Sequence, residues 1–193
     1  MTKHIILQKA LELFMERGYD GASMSDIAIA TGIRKASLYA HFKGKESIFA
    51  AIFEDILAEY VRFIGEIAAN RAGETAPEQL ERMFLAFILY CHGNAKMYFW
   101  DRHFYFPPAF IAVYMRQKTQ ETQDAFLYAV TRCIERGIRG GELRPQPAAD
   151  AALAFYYLMI GLSMSVKLYD KETLERDARA AWHGLQTGLL RKE

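Results

Sequence analysis

Arg34, Lys35, Lys43 and Lys45 carry every formal charge between Asp26 and Glu46, and all four are positive. Ser23 and Ser25 precede them, Ser37, Tyr39 and His41 lie among them, and all five bring hydrogen-bonding groups. Such a patch suits a polyanion, because each phosphate neutralised by Lys or Arg releases condensed counterions. A solvated basic helix face would carry the same charges, so charge alone leaves both readings open. Other chemistries find little support. Cys91 and His92 are adjacent, and on a helix neighbours diverge by about 100°, so they do not readily chelate one metal. No glycine-rich phosphate loop, zinc-ligand spacing or nucleophile motif occurs. A Cys91 nucleophile with a distant histidine remains an arrangement on paper only. The expectation is a protein that is not an enzyme, with no cofactor and no metal.

The elements around the basic residues favour the polyanion. Ser23 and Asp26 have capping-box spacing: the hydroxyl accepts from the Asp26 N–H while the carboxylate reaches back. Ile27, Ala28 and Ala30 then give a short helix a narrow apolar edge. Gly32 ends it, since glycine enters the left-handed conformation without a Cβ clash. Ile33 plugs the turn, and a second helix begins near Arg34 or Lys35. Its Leu38 and Phe42, four apart, face inward, leaving Lys35, Ser37, Tyr39 and His41 outside. Two short helices joined by a glycine-containing turn have the form of a helix-turn-helix.

With those residues in view, residues 6–49 resemble the N-terminal domain of TetR/AcrR-type transcriptional regulators. The resemblance rests on Ala10, Leu13-Phe14, Gly18-Tyr19, Ser23, Asp26-Ile27-Ala28, Gly32-Ile33, Leu38-Tyr39, His41-Phe42 and Lys45-Glu46. Arg34 stands where the family usually has Ser, and Ala36 where Gly is frequent; both departures bear on which bases are read. The resemblance implies that Lys35, Ala36, Ser37 and Tyr39 approach base edges. Arg34 and Lys35 would each fork onto guanine or bind phosphate, while Ala36 and Ser37 would meet thymine or a base edge. Ser23, His41 and Lys45 would contact phosphates, Lys45 with help from the positive N-terminus of the next helix. Ser25 would reach the groove edge. Structural readings stand beside two of these: Tyr39 as a half-buried packing residue, His41 as a helix-end cap.

The chain has 193 residues, 52% of them hydrophobic, and a net charge of +1, so it is no generally basic nucleic-acid coat. Residues 1–50 carry 7 basic and 5 acidic side chains and residues 51–193 carry 17 and 18, so the positive excess sits with the helix-turn-helix. Two cysteines are too few for a disulfide framework, and the opening residues lack a signal peptide's apolar core; a cytoplasmic location is expected. Residues 151–166 are uncharged and largely apolar but shorter than the ~20 residues a membrane span needs.

Helical spacing recurs nearly everywhere, so the fold class is all-α, with about nine helices. Residues 1–50 form a three-helix DNA-binding domain and residues 51–193 a larger effector-binding and dimerisation domain. The first helix covers residues 2–17, with Ile6, Leu7, Ala10, Leu13 and Phe14 inward and Gly18 closing it. A fourth runs from Lys45 towards Ala69 on Ile48, Phe49, Ile52, Phe53 and Ile56. A fifth, over 77–92, carries Leu80, Met83, Phe84, Phe87, Ile88 and Cys91; Leu85, Ala86 and Leu89 make its second half apolar all round, as in a central helix. A short sixth helix ends before Pro107-Pro108, and Pro108 opens a seventh that runs to Arg139. The eighth and ninth cover about 148–168 and 171–190. Gly161 and Ser165 on the eighth are small; Leu174, Ala178, Ala181, Leu185 and Gly188 share one side of the ninth. The family resemblance implies that these two helices pair with a second copy to form a homodimer.

Six of the nine residues from Tyr98 to Phe106 are aromatic. Apolar core needs no Tyr, Trp or His, each of which brings a polar group wanting a partner; a ligand cavity uses such groups. Core and cavity both remain open for Trp100, His103, Phe104, Phe110, Tyr114 and Tyr157, the candidate effector contacts. The function expected is a sequence-specific, homodimeric DNA-binding regulator, a repressor released from double-stranded operator DNA by a small hydrophobic or aromatic effector. The alternative is a dimeric DNA-binding interaction protein with no such effector.

Overall fold

A computed structural model describes residues 2–189. Among them are nine helices and no strand: α1 (Thr2–Arg17), α2 (Met24–Thr31), α3 (Lys35–His41), α4 (Lys45–Ala68), α5 (Ala76–Cys91), α6 (Ala95–Tyr105), α7 (Ala112–Arg139), α8 (Ala148–Ser163) and α9 (Lys171–Leu189). The fold is all-α with an N-terminal helix-turn-helix. Two boundaries differ from expectation. Helix α7 begins at Ala112 and not at Pro108, because residues 109–111 form a turn closed by the Ile111 N–H on the Pro108 carbonyl at 3.1 Å. Helix α8 stops at Ser163, about five residues early. There the Ser163 and Ser165 hydroxyls donate to the Ile160 and Leu162 carbonyls, and the backbone tightens into i→i+3 bonds, a competition that serines offer to helix propagation. The last residue expected in α9, Leu190, lies outside the described residues.

The chain forms two compact units whose boundaries fall inside α4, after Tyr60, and inside α7, after Lys118. The first contains α1–α3, the first part of α4, and all of α6. Its core takes the inward faces of amphipathic helices: Ile6, Ala10 and Phe14 from α1, Ile27 from α2, Leu38 from α3, Ile48, Phe49 and Phe53 from α4, and Phe99 from α6. Each Ile, Leu or Phe among them contributes roughly 1.5–3 kcal/mol by leaving water. Leu7 is only half-buried and Ala30 is exposed; Met24 takes the place expected of Ala30 on the apolar edge of α2. Helix α6 is keyed in by Phe99 and His103 against Phe49, by Trp100 stacked on Phe53, and by a Lys96–Glu59 ion pair to α4.

The second unit holds the rest of α4 and α7 with α5, α8 and α9. Thr75 and Glu78 form a capping box that starts α5. Phe84 of α5, Phe155 of α8 and Trp182 of α9 meet in an aromatic core. The last carbonyls of a helix have no partner within it; here Arg82 donates to Ile67 and Ala69, and Gln79 to Ala68, closing the end of α4. Glu74 holds the Arg82 guanidinium at 2.6 Å, and that bond, above all, keeps its carboxyl below the usual range. The expected stripe of α5 is buried, but its opposite face is not: Leu89 is 39% exposed, with Leu85 and Ala86 half-buried. No neighbour among the described residues covers Leu89 fully, so α5 is less enclosed than its composition suggests.

Candidate nucleic-acid interface

The two short helices are stabilised by contacts within a few residues. The Asp26 N–H donates to Ser23 Oγ at 3.2 Å and the Ser23 N–H to Asp26 Oδ2 at 2.9 Å, so the expected capping box is complete. The Ser23 hydroxyl donates to the same carboxylate at 2.5 Å. These bonds, first among them the one from the Ser23 hydroxyl, hold Asp26 below the ordinary carboxyl range. Gly32 is left-handed, with φ 68°, and the Gly32 and Ile33 N–H groups donate to Ile29 and Ala28. That paired closure is a Schellman motif. Beyond it, α3 stands on Leu38, which is fully buried, and Phe42, which ends the helix.

This anchoring turns the rest of α3 outward. Arg34, Lys35, Ala36, Ser37, Tyr39 and His41 are all exposed, as are Ser23 and Ser25 at the start of α2. Tyr39 is 48% exposed, and the backbone N–H of Phe42 closes α3 on the Leu38 carbonyl, one residue after His41. The Ser23 hydroxyl already donates to Asp26, so a phosphate contact there competes with the cap. Lys45 is half-buried: its ammonium donates to the Tyr19 carbonyl and lies over the Tyr19 ring. Burial, with Glu46 adding charge and a hydrogen bond, pushes the Tyr19 hydroxyl up to about 12, so it stays protonated.

Three cations near this unit's helix ends escaped the sequence reading. Arg17 lies 3.4 Å from Asp26. Arg102 donates to the Met15 carbonyl at 2.7 Å, linking α6 to the end of α1. Lys3 lies 5.5 Å from the centre of the Phe42 ring, beside the end of α3. Only the spacing of basic residues hinted at them, because each contact joins different helices or a helix and a distant turn.

The aromatic candidates are dispersed. Trp100 is 8% exposed and packs between Phe53 and Tyr60. Phe104 is 43% exposed and meets Tyr105, while Tyr114 lies beside Phe53. His103 and Phe110 line a cleft of about 710 Å³ in the first unit; Trp100, Phe104 and Tyr114 are not among its walls. Tyr157 belongs to α8 in the second unit and is exposed. No described helix is long and apolar enough to cross a membrane.

An outward recognition helix seated on a capped partner defines a helix-turn-helix protein. Residues 6–52, which hold the helix-turn-helix, match the family model described as bacterial regulatory proteins, tetR family. Over 62 residues it is 39% identical to IcaR of Staphylococcus epidermidis, the negative transcriptional regulator of the biofilm operon icaADBC. That segment covers 32% of this chain and 34% of IcaR, so the match spans about a third of the relative's length. Over nearly the whole chain the fold is similar to PfmR, a TetR family regulator from Thermus thermophilus, at 27% identity and a TM-score of 0.71, covering 97% and 96% of the two chains. It is also similar to FadR of Bacillus subtilis, solved with stearoyl-CoA, at 22% identity and a TM-score of 0.67, covering 94% and 96%.

Proposed function

We propose that the protein is a dimeric transcriptional repressor that reads a roughly palindromic operator with α3 of each subunit. The observation that carries this reading is the outward set of Arg34, Lys35, Ala36, Ser37, Tyr39 and His41 on a helix fixed by Leu38 and Phe42. Residues 1–50 act as the reader and residues 51–193 as the effector-binding and dimerisation domain. A recognition helix in each of two adjacent major grooves requires half-sites about 34–36 Å apart. Lys45 and His41 serve as phosphate contacts, as does Ser23 where its cap allows, and Ser25 reaches the groove edge.

Two features support dimerisation through α8 and α9. Leu153, Tyr157, Leu158 and Met164 leave an exposed apolar stripe along α8 and the turn after it. Gly161, Gly184 and Gly188 have open space where a Cβ would sit, which suits a close approach by a second copy. An effector in the second unit is supported by Trp182, whose Nε1–H is buried without a hydrogen-bond partner among the described residues. Leaving such a donor unpaired costs about 1–3 kcal/mol, and a ligand acceptor would recover it. The stearoyl-CoA bound by FadR makes an acyl-bearing effector the first to try. The mechanism is a population shift, in which effector favours the dimer that cannot span both half-sites.

The test is selection of bound fragments from random DNA by the purified protein, followed by competition with long-chain acyl-CoAs and aromatic compounds. An enriched palindrome released by one of these ligands is the expected result. Enrichment without release by any ligand favours the effector-free interaction protein. No enriched sequence refutes the reading.

A further inference from the structure

The first unit contains a cleft that the helix-turn-helix does not use. The end of α1, the start of α4 and the segment after α6 enclose about 710 Å³, within the range of small-molecule sites. One wall is aromatic: Phe106 is 84% and Phe110 47% exposed, with Pro107-Pro108 between them. His103 forms part of the wall although its side chain is 3% exposed overall. Its Nδ1 is 2.9 Å from the Phe99 carbonyl. A carbonyl only accepts, so Nδ1 carries the proton and Nε2 presents a lone pair.

Arg17 and Arg102 also line the cleft. Arg102 uses Nη1 on the Met15 carbonyl, and its Nη2 lies 3.2 Å from where a Cβ on Gly18 would sit. Glycine there, at φ 77°, lets the guanidinium lie against the end of α1. Two acids share the rim. Glu46 is engaged by the Tyr19 hydroxyl, and Asp20 is exposed, where water and salt screen it. The remaining recognition chemistry is two guanidiniums, an aromatic wall and one buried acceptor.

We propose that this cleft binds a small aromatic acid carrying a ring hydroxyl. Its carboxylate sits on Arg102 and Arg17, its ring lies against Phe106 and Phe110, and its hydroxyl donates to His103 Nε2. A guanidinium is the side chain suited to a planar carboxylate, which it meets with paired donors. Burial holds the His103 imidazole below the ordinary histidine range, so at neutral pH it accepts rather than donates. Arg17 also pairs with Asp26 of the α2 cap, so a bound carboxylate competes with that pair and connects the cleft to the helix-turn-helix. The cleft takes His103 and Phe110 from the candidate effector contacts and belongs to the first unit, whereas Trp182 belongs to the second; the proposal thus deepens the effector reading, and its occupancy is measured without DNA.

The test is calorimetric titration of the full chain at neutral pH with 4-hydroxybenzoate, benzoate and tyramine. Saturable binding of 4-hydroxybenzoate is expected, with benzoate, which lacks the hydroxyl, and tyramine, which is a cation, each weaker by about tenfold or more. Arg102→Gln and Phe106→Ala should each weaken 4-hydroxybenzoate by a similar factor. Phe106 is too exposed for its loss to unfold the chain, so that variant remains informative if Arg102→Gln melts early. No saturation at millimolar 4-hydroxybenzoate, unchanged affinity in Phe106→Ala, or tyramine binding as tightly would overturn the proposal. A protein that binds the acid but selects no operator keeps this site and loses the repressor reading; the reverse result does the opposite.

Discussion

The Lys45 ammonium donates to the Tyr19 carbonyl at 2.7 Å and lies 4.1 Å from the centre of the Tyr19 ring. The start of α4 is therefore tied to the turn after α1, and the same side chain that fixes this corner is a candidate phosphate contact. An ammonium has three donors, and the Tyr19 carbonyl takes one. Lys45→Ala should thus do two things. It should lower the stability of the first unit by about 1–2 kcal/mol, from a charged hydrogen bond and a partly exposed cation–π contact. It should also weaken binding to all DNA sequences alike, with the salt slope falling by about 0.9. Thermal melts and binding isotherms at several salt concentrations check both. A loss at one operator base with an unchanged slope would remove Lys45 from the phosphate contacts.

Lys35→Ala and Tyr39→Ala should each cost about 1–3 kcal/mol on the specific site. Both side chains are exposed, so helical content and melting temperature should hardly move. Competition binding against operators changed one base at a time is the measurement. Wild-type discrimination in either variant means that residue reads no base.

Gly161→Leu and Gly184→Leu should weaken the proposed dimer without harming the subunit. Each Cβ would enter open space in a single chain, and a second helix at close range would be overpacked by about 1–3 kcal/mol. Sedimentation across a concentration series reads the association. An unchanged dimer in both variants moves the interface away from α8 and α9.

Gly137 makes the contrasting case. A Cβ there would lie 2.6 Å from the Ala76 Cβ and 2.8 Å from Leu143 Cδ1. Gly137→Ala should therefore destabilise the second unit by about 1–3 kcal/mol, although alanine at an open helical position is stabilising by up to about 1 kcal/mol. Denaturant midpoints decide it, and a midpoint at or above wild type would mean α7 can shift away from the start of α5.

His103 gives a pH dependence whose sign follows from its burial. Desolvation, with the Arg102 charge adding to it, lowers its affinity for a proton, against the smaller pull of the Phe99 carbonyl. The unfolded chain takes up a proton as pH falls through about 6.5, whereas the folded chain does so only lower. Stability is thus present above pH ~6.5 and lost as pH falls from there towards the folded value. The melting temperature should decline as pH falls below ~6.5 more steeply in wild type than in His103→Gln. Parallel curves would show that the imidazole is not buried as a neutral ring.

Serine, aspartate and glycine at residues 23, 26 and 32 determined the start and end of α2 by themselves, because a cap or a Schellman turn closes within six residues. Leu38 and Phe42 likewise set which side of α3 faces inward, leaving Lys35, Ser37, Tyr39 and His41 outside. The stripes of α1, α4 and α5 were legible for the same reason: helical period fixes a face from local spacing. Period does not say which neighbour that face meets. Lys45 reaches Tyr19 across 26 residues and Arg102 reaches Met15 across 87, and neither pairing has a local signature. Trp100 and His103, three apart on α6, went to different surroundings, one stacked on Phe53 and the other on a cleft wall. Helix α8 ended early where serine hydroxyls competed for its carbonyls, a choice propensity left open. Tertiary packing decided these points, because the free energy of each contact depends on two helices having already been brought together.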